Sequence, residues 1–143
     1  MNKYTTTLLI AVSLSGIASL AQPPVNQAAA KVDFEKQVLP IFKDKCLKCH
    51  EKEHTDEKGA LKKPKGGLVM STAEGLKKGG KESKEKTLVA GKADESTLYK
   101  SVMLPSSDDA AMPPDGKGDP LTDAEKELLK SWINQGADFG AWK

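Results

Sequence analysis

The feature that most constrains this chain is the run Cys46-Leu47-Lys48-Cys49-His50, which contains both of its cysteines. Two thiols three positions apart, followed at once by an imidazole, place three reactive side chains within little more than one helical turn. The run follows a segment whose apolar residues recur at helical spacing. These residues are Phe34, Val38, Ile41 and Phe42. Asp33 can cap this helix, and Pro40 predicts either a bend there or a start of the regular helix at that residue.

The C-x-x-C-H spacing is typical of covalent haem attachment. The two thiols can reach the two vinyl groups on one edge of a haem, and His50 can bind the iron from the same side. Only 38% of the residues are hydrophobic and 5% aromatic, so a buried macrocycle would also supply apolar interior. We therefore expect one covalently attached haem c, held by Cys46 and Cys49, with His50 on the iron.

Two other interpretations of these residues remain open. Cys46 and Cys49 could form a disulfide, although a thioredoxin-like site would need a βαβ context, which the sequence does not indicate. Alternatively, Cys46, Cys49, His50 and His54 could bind zinc. Structural zinc sites usually draw two ligand pairs from separate segments, so four ligands within nine residues would be strained. We expect His54 to be a solvated loop residue.

The second axial ligand of the iron is expected to be Met112. This residue begins Met112-Pro113-Pro114 in a polar loop. A residue before proline is held in an extended conformation, and the prolines stiffen the loop around the sulfur. His54 is too close to His50 in sequence to reach the opposite face of the ring. Met70 and Met103 adjoin valines and are expected to fill the core.

The start of the chain resembles an export signal. Lys3 precedes the apolar run from Leu8 to Leu20, and small residues end it at Ala21. That run is shorter than the roughly 20 residues that span a bilayer. We expect a signal peptide at residues 1–21, a disordered lead-in at 22–32 and one folded domain at 33–143. The mature chain would be periplasmic or otherwise exported, without stable membrane insertion.

Further helices are predicted by capping signals. Ser71-Thr72-Ala73-Glu74 predicts a short helix that ends at Gly79-Gly80, and Asp94 could cap a helix over Glu95–Val102. Thr122 to Glu125 has capping-box spacing and begins the clearest helix, which runs to about Gln135 and ends at Gly136. Residues 51–67 and 104–120 are expected to be loops. No convincing strand pattern appears, so the predicted fold is all-α.

Taken together, these motifs resemble the planctomycete-type cytochrome c domain, a branch of the class I cytochrome c superfamily. The resemblance extends over roughly residues 34–139. It rests on Val38-Leu39-Pro40-Ile41-Phe42, the C-x-x-C-H run, Lys65-Gly66-Gly67-Leu68, Met112-Pro113-Pro114, and Leu121-Thr122 through Trp132-Ile133 to Gly136-Ala137. It implies a helical fold in which the first and last helices cross beside a haem crevice, with His50 and Met112 as axial ligands.

The expected function is one-electron transfer by a single-haem carrier, not enzymatic catalysis. An iron with two protein ligands has no open position for a substrate. The alternative is a haem enzyme or gas sensor whose sixth position is open or labile. Redox partner proteins should bind transiently, and the chain is expected to be a monomer. A net charge of +2 with no arginine does not favour nucleic acid.

Overall fold

The computed structural model describes residues 30–143. The predicted signal peptide and most of the predicted lead-in lie outside this range. The described residues are mostly helical. They contain helix α1 at residues 34–50, α2 at Ala73–Lys78, α3 at Thr97–Met103 and α4 at Asp123–Asn134, with strands β1 at His54–Thr55 and β2 at Leu61–Lys62. Single 3₁₀ turns occur at Lys65–Gly67, Lys84–Lys86 and Ala93–Glu95.

Helix α1 passes through Pro40 without ending there. Wide π-helical turns at Phe34–Val38 and Phe42–Cys46 alternate with α-helical turns at Leu39–Ile41 and Leu47–His50. Proline has no N–H and its ring collides with the carbonyl four residues earlier in a regular helix, and a wider turn before it relieves that contact. The predicted start of the helix at Asp33 is confirmed, because its carboxylate accepts from the Lys36 N–H at 3.1 Å.

The all-α prediction is wrong in one detail, because β1 and β2 form a small antiparallel hairpin. His54 pairs with Lys62, and Thr55 pairs with Leu61. The Asp56 carboxylate closes the turn by accepting from the N–H groups of Lys58 and Ala60, at 3.0 and 2.8 Å. Two-residue strands are too short to produce an alternating sequence pattern, so the prediction of a plain loop missed them.

The two central helices begin one or two residues later than predicted. Thr72, and not Ser71, caps α2 by accepting from the Gly75 N–H at 3.0 Å, and the helix ends at Gly79 as predicted. The predicted cap Asp94 lies within a 3₁₀ turn, and α3 follows Ser96. Asp and Ser both favour helix starts, so the sequence alone did not distinguish a 3₁₀ turn from the first turn of the helix.

Helix α4 confirms the clearest sequence prediction. Thr122 and Glu125 form a complete capping box, with the Glu125 carboxylate accepting from the Thr122 N–H at 2.7 Å. Gly136 follows the helix with a φ of 101°, which is unfavourable for residues with a Cβ. The apolar face of α4 is buried or half-buried as predicted, and consists of Leu121, Leu128, Leu129, Trp132 and Ile133.

Helices α1 and α4 pack together around an aromatic cluster. Phe34 has ring-centroid separations of 5.7 Å from Phe42, 5.1 Å from Trp132, 5.0 Å from Phe139 and 5.0 Å from Trp142. These contacts join residues from the first helix to residues from the last helix and the tail beyond it. Burial of aromatic surface is a strong source of stability, so this interface holds the site-bearing helix in place.

Residues just before α1 are bonded to the end of the chain. The Val32 N–H donates to the Gln135 side chain at 2.7 Å, and Lys31 pairs with Asp138 at 2.8 Å. Ordered contacts therefore begin at residues that the sequence analysis assigned to the lead-in. Among the described residues, no helix is both long enough and apolar enough to span a membrane.

Candidate cofactor site

The last turn of α1 carries Cys46, Cys49 and His50, so the structure brings these three predicted residues together. Cys46 and Cys49 are three positions apart, which places them on the same side of the helix. Both are half-buried and carry free thiols. Cys46 also packs against the hydrophobic core, so the C-x-x-C-H run is continuous with the folded interior.

Cys46 is in an apolar environment that keeps its thiol protonated. Burial, with a smaller contribution from the Asp44 charge, raises the pKa of Cys46 to about 12. The thiolate is both the reactive form of cysteine and the form that binds metal ions, and apolar burial disfavours it. This environment does not suit a reactive redox thiol.

His50 is half-buried and oriented by a backbone carbonyl. Its Nδ1 lies 3.3 Å from the carbonyl oxygen of Leu68. Burial lowers the pKa of His50, while hydrogen bonding to the Leu68 and Lys65 carbonyls opposes that shift. A neutral imidazole that donates from Nδ1 keeps a lone pair on Nε2, and this is the usual state of a metal-binding histidine.

A glycine turn supplies the carbonyl that faces His50. Gly66 and Gly67 have φ values of 59° and 67°, which side-chain-bearing residues rarely adopt. The turn is closed because Leu68 donates its N–H to the Lys65 carbonyl at 3.1 Å. Residues 65–67 were predicted to lie at the end of a loop, and Lys65 to Leu68 formed part of the family resemblance, but the role of the Leu68 carbonyl was not predicted. The two consecutive glycines were the only signal for it.

His54 does not join the other three residues in a metal-binding group. It is exposed in β1, and its Nδ1 lies 3.0 Å from the Lys52 carbonyl oxygen. Across residues 30–143, no three His, Cys, Asp or Glu side chains are grouped so that they could hold a metal ion. The expectation of a solvated His54 is confirmed, and the zinc arrangement is not assembled in this part of the chain.

Met112 lies in a different segment, within the loop after α3. Its N–H donates to the Ser101 carbonyl at 3.0 Å, which fastens this part of the loop to the helix. Its side chain is 37% exposed, whereas Met70 is 2% exposed and fills the core as predicted. The prediction that Met103 fills the core is wrong, because its side chain is 49% exposed. Leu104 is also exposed, so large apolar side chains lie at the surface both where this loop begins and within it.

The residues present fit a covalently attached haem. Two free thiols and one imidazole lie on a single helical turn. The Nδ1 of the imidazole is hydrogen-bonded to the Leu68 carbonyl, so Nε2 is left for the iron. A thioether sulfur on Met112 or Met103 is accessible to a ligand, since neither side chain is buried in the protein core. Thioether and imidazole are both established iron ligands in haem proteins.

Comparison with known families agrees with this assignment. Residues 46–116 match the family model described as Planctomycete cytochrome C. This segment begins at Cys46, includes the glycine turn and Met112, and ends before α4. No curated protein and no solved structure matches the chain.

The family match thus indicates a c-type cytochrome, a class of protein that carries haem on cysteine side chains. More specifically, residues 46–116 form a domain of the planctomycete cytochrome C family. The resemblance expected from the sequence is confirmed over that segment, which is shorter than the range of 34–139 that the motifs indicated.

Proposed function

We propose that this chain is an exported, single-haem electron carrier. The observation that supports it best is the joint placement of Cys46, Cys49 and His50 on one helical turn, with the Nδ1 of His50 engaged by the Leu68 carbonyl. In this proposal the cysteines hold one haem c and His50 binds its iron. The family match supports the presence of haem, and the predicted signal at residues 1–21 supports export.

The chain's own residues have two tasks in this function. Cys46 and Cys49 fix the cofactor to a helix that is itself held by the aromatic cluster. Leu68 keeps the ring of His50 oriented and its Nε2 directed away from the carbonyl. When bound, the haem supplies one-electron exchange between the two oxidation states of iron. Electron transfer to partner proteins would then proceed through transient contacts, with the protein as a monomer.

Met112 is our proposed second axial ligand. It is attached to the end of α3 through Ser101, and its partly exposed thioether is not used in the protein core. Met103 is the other exposed methionine of the described residues. It therefore provides a matched control, with the same side chain at a nearby surface position.

The test uses the precursor expressed in cells that export proteins and attach haem. We expect one haem per chain in a pyridine haemochrome assay, with the haem retained after denaturation. Met112→Ala should lose the absorption band of the methionine–iron bond and gain binding of added imidazole. Met103→Ala should retain the wild-type spectrum and show no such binding.

Other outcomes separate the alternatives. Colourless protein with both thiols open to alkylation would refute the haem carrier. If wild-type protein already binds added imidazole tightly, the site has an open position, as in a haem enzyme or gas sensor. If Met103→Ala changes the spectrum and Met112→Ala does not, the ligand assignment is wrong while the carrier function is retained.

A further inference from the structure

The glycine turn that faces His50 is braced by a second turn from a distant part of the chain. The Lys81 N–H donates to the Gly66 carbonyl at 2.9 Å. The methylenes of Lys81 cover Gly67 so closely that a Cβ added there would lie 2.9 Å from Lys81 Cγ. We call the two facing turns, residues 64–68 and 79–81, the glycine clasp.

A buried threonine anchors the second turn of the clasp. Thr87 is 1% exposed, and its hydroxyl oxygen accepts from the Gly80 N–H at 3.2 Å. The same hydroxyl is hydrogen-bonded to that of Ser83. The Thr87 carbonyl accepts from the Leu98 N–H at 3.0 Å, which connects this anchor to α3. A continuous set of hydrogen bonds thus leads from α3 through Thr87 to the glycine turn.

The clasp has little room for movement. A Cβ on Gly79 would lie 1.8 Å from the Lys84 carbonyl oxygen, and one on Gly80 would lie 3.2 Å from that of Gly66. These close backbone approaches mean that a shift of the 79–81 turn displaces the 64–68 turn as well.

We propose that Thr87 is a positioning residue for His50, because its hydroxyl fixes the 79–81 turn. That turn braces residues 64–68, whose Leu68 carbonyl orients the imidazole. This inference rests on the proposed function, in which His50 binds the haem iron. A carbonyl that accepts from Nδ1–H fixes the ring and makes the imidazole a stronger electron donor to the metal. A stronger donor favours the oxidised iron, so loosening the clasp raises the reduction potential.

The decisive variant is Thr87→Val in the haem-containing protein, with Thr122→Val as its matched control. Both changes replace a hydroxyl by a methyl group, and both hydroxyls accept from a backbone N–H. Thr87→Val should raise the reduction potential and speed the solvent exchange of the His50 Nδ1 proton, measured by NMR of the reduced protein. Thr122→Val should lower thermal stability and leave both of these properties at their wild-type values.

A purely structural Thr87 would overturn the proposal. In that case Thr87→Val would lower stability and leave the reduction potential and the exchange rate unchanged. A shift in the reduction potential of Thr122→Val as large as that of Thr87→Val would refute the proposal as well. Failure of the proposed function would be recognised earlier and separately, because the wild-type protein would then give no haemochrome.

A second pair of variants decides the question if Thr87→Val does not fold. Gly66 and Gly59 have φ values of 59° and 77°, and an added Cβ would meet nothing within 4 Å at either. Gly66→Ala and Gly59→Ala therefore add similar backbone strain, one in the clasp and one in the hairpin turn. We expect a raised potential for Gly66→Ala only, and equal potentials in the two variants would refute the inference.

Discussion

At the residue scale, the C-x-x-C-H run could be recognised from sequence, whereas the backbone carbonyl that orients His50 could not. Cys46, Cys49 and His50 are identified by side-chain type and spacing. Leu68 acts through its backbone carbonyl, a group that every residue has, so no residue type marks it. The error at Met103 has a simple geometric cause. Adjacent residues point about 100° apart around a helix, so the burial of Val102 says little about its neighbour.

Trp132 has both a packing role and a polar role in the core. It is 1% exposed, and its indole N–H donates to the Asp138 carbonyl at 2.9 Å. Trp132→Phe removes that hydrogen bond and part of the buried ring, so we expect a loss of about 1–2 kcal/mol in the free energy of unfolding. Chemical denaturation of the haem-containing protein measures this loss in the free energy of unfolding.

Trp142→Phe is the natural control for this prediction. Trp142 is only partly buried and stacks on Phe139 at a centroid separation of 5.7 Å. Trp142→Phe should lower the free energy of unfolding clearly less than Trp132→Phe does. Equal losses in the two variants would contradict the importance that we assign to the buried indole.

At the element scale, capping signals predicted which helices exist better than where they begin. The complete capping box at Thr122 fixed the start of α4 correctly, because two reciprocal hydrogen bonds favour a single position. Ser71 and Thr72 are both good caps, so only the observed hydrogen bond to Gly75 distinguishes them. Pro40 lies in a short α-helical turn at Leu39–Ile41, and the π-helical turns on either side of it allow α1 to continue.

The capping box of α4 gives an element-scale prediction. Thr122→Val removes the hydroxyl that accepts from the Glu125 N–H at 3.2 Å. Loss of an N-cap costs about 1 kcal/mol, so the free energy of unfolding should fall by about that amount. Hydrogen exchange should quicken at the first turn of α4 and remain unchanged at α2. If neither the free energy of unfolding nor the exchange rate at the first turn of α4 changes, this role for the cap is contradicted.

At the scale of the whole molecule, the meeting of the first and last helices was expected only through the family resemblance. Periodicity identifies the apolar face of each helix, and it does not say which faces meet. Phe34 joins the first and last helices of the described residues, because its ring contacts Phe42 on α1 and Trp132 on α4. This long-range contact determines the position of α1 and therefore that of its last turn, which carries the site.

Phe34→Ala is the corresponding prediction for the whole fold. Phe34 is 2% exposed, and removal of a buried phenylalanine ring costs about 3–5 kcal/mol. Thermal unfolding of the haem-containing protein should shift downward, with tryptophan fluorescence and circular dichroism changing together. Leu61→Ala, at a side chain that is 56% exposed, should leave the midpoint nearly unchanged. A similar unfolding midpoint for both variants would mean that the aromatic cluster does not hold α1 and α4 together.

The bonds between residues 30–32 and 135–138 have a consequence for engineering. Because Val32 donates to Gln135 and the Ala141 N–H donates to Glu35, the polypeptide enters and leaves the fold at neighbouring points. Adjacent entry and exit points favour circular permutation and insertion into a loop of a host protein. New termini opened at the exposed hairpin turn would leave the four helices intact. The folded residues are thus suited to grafting into a host protein.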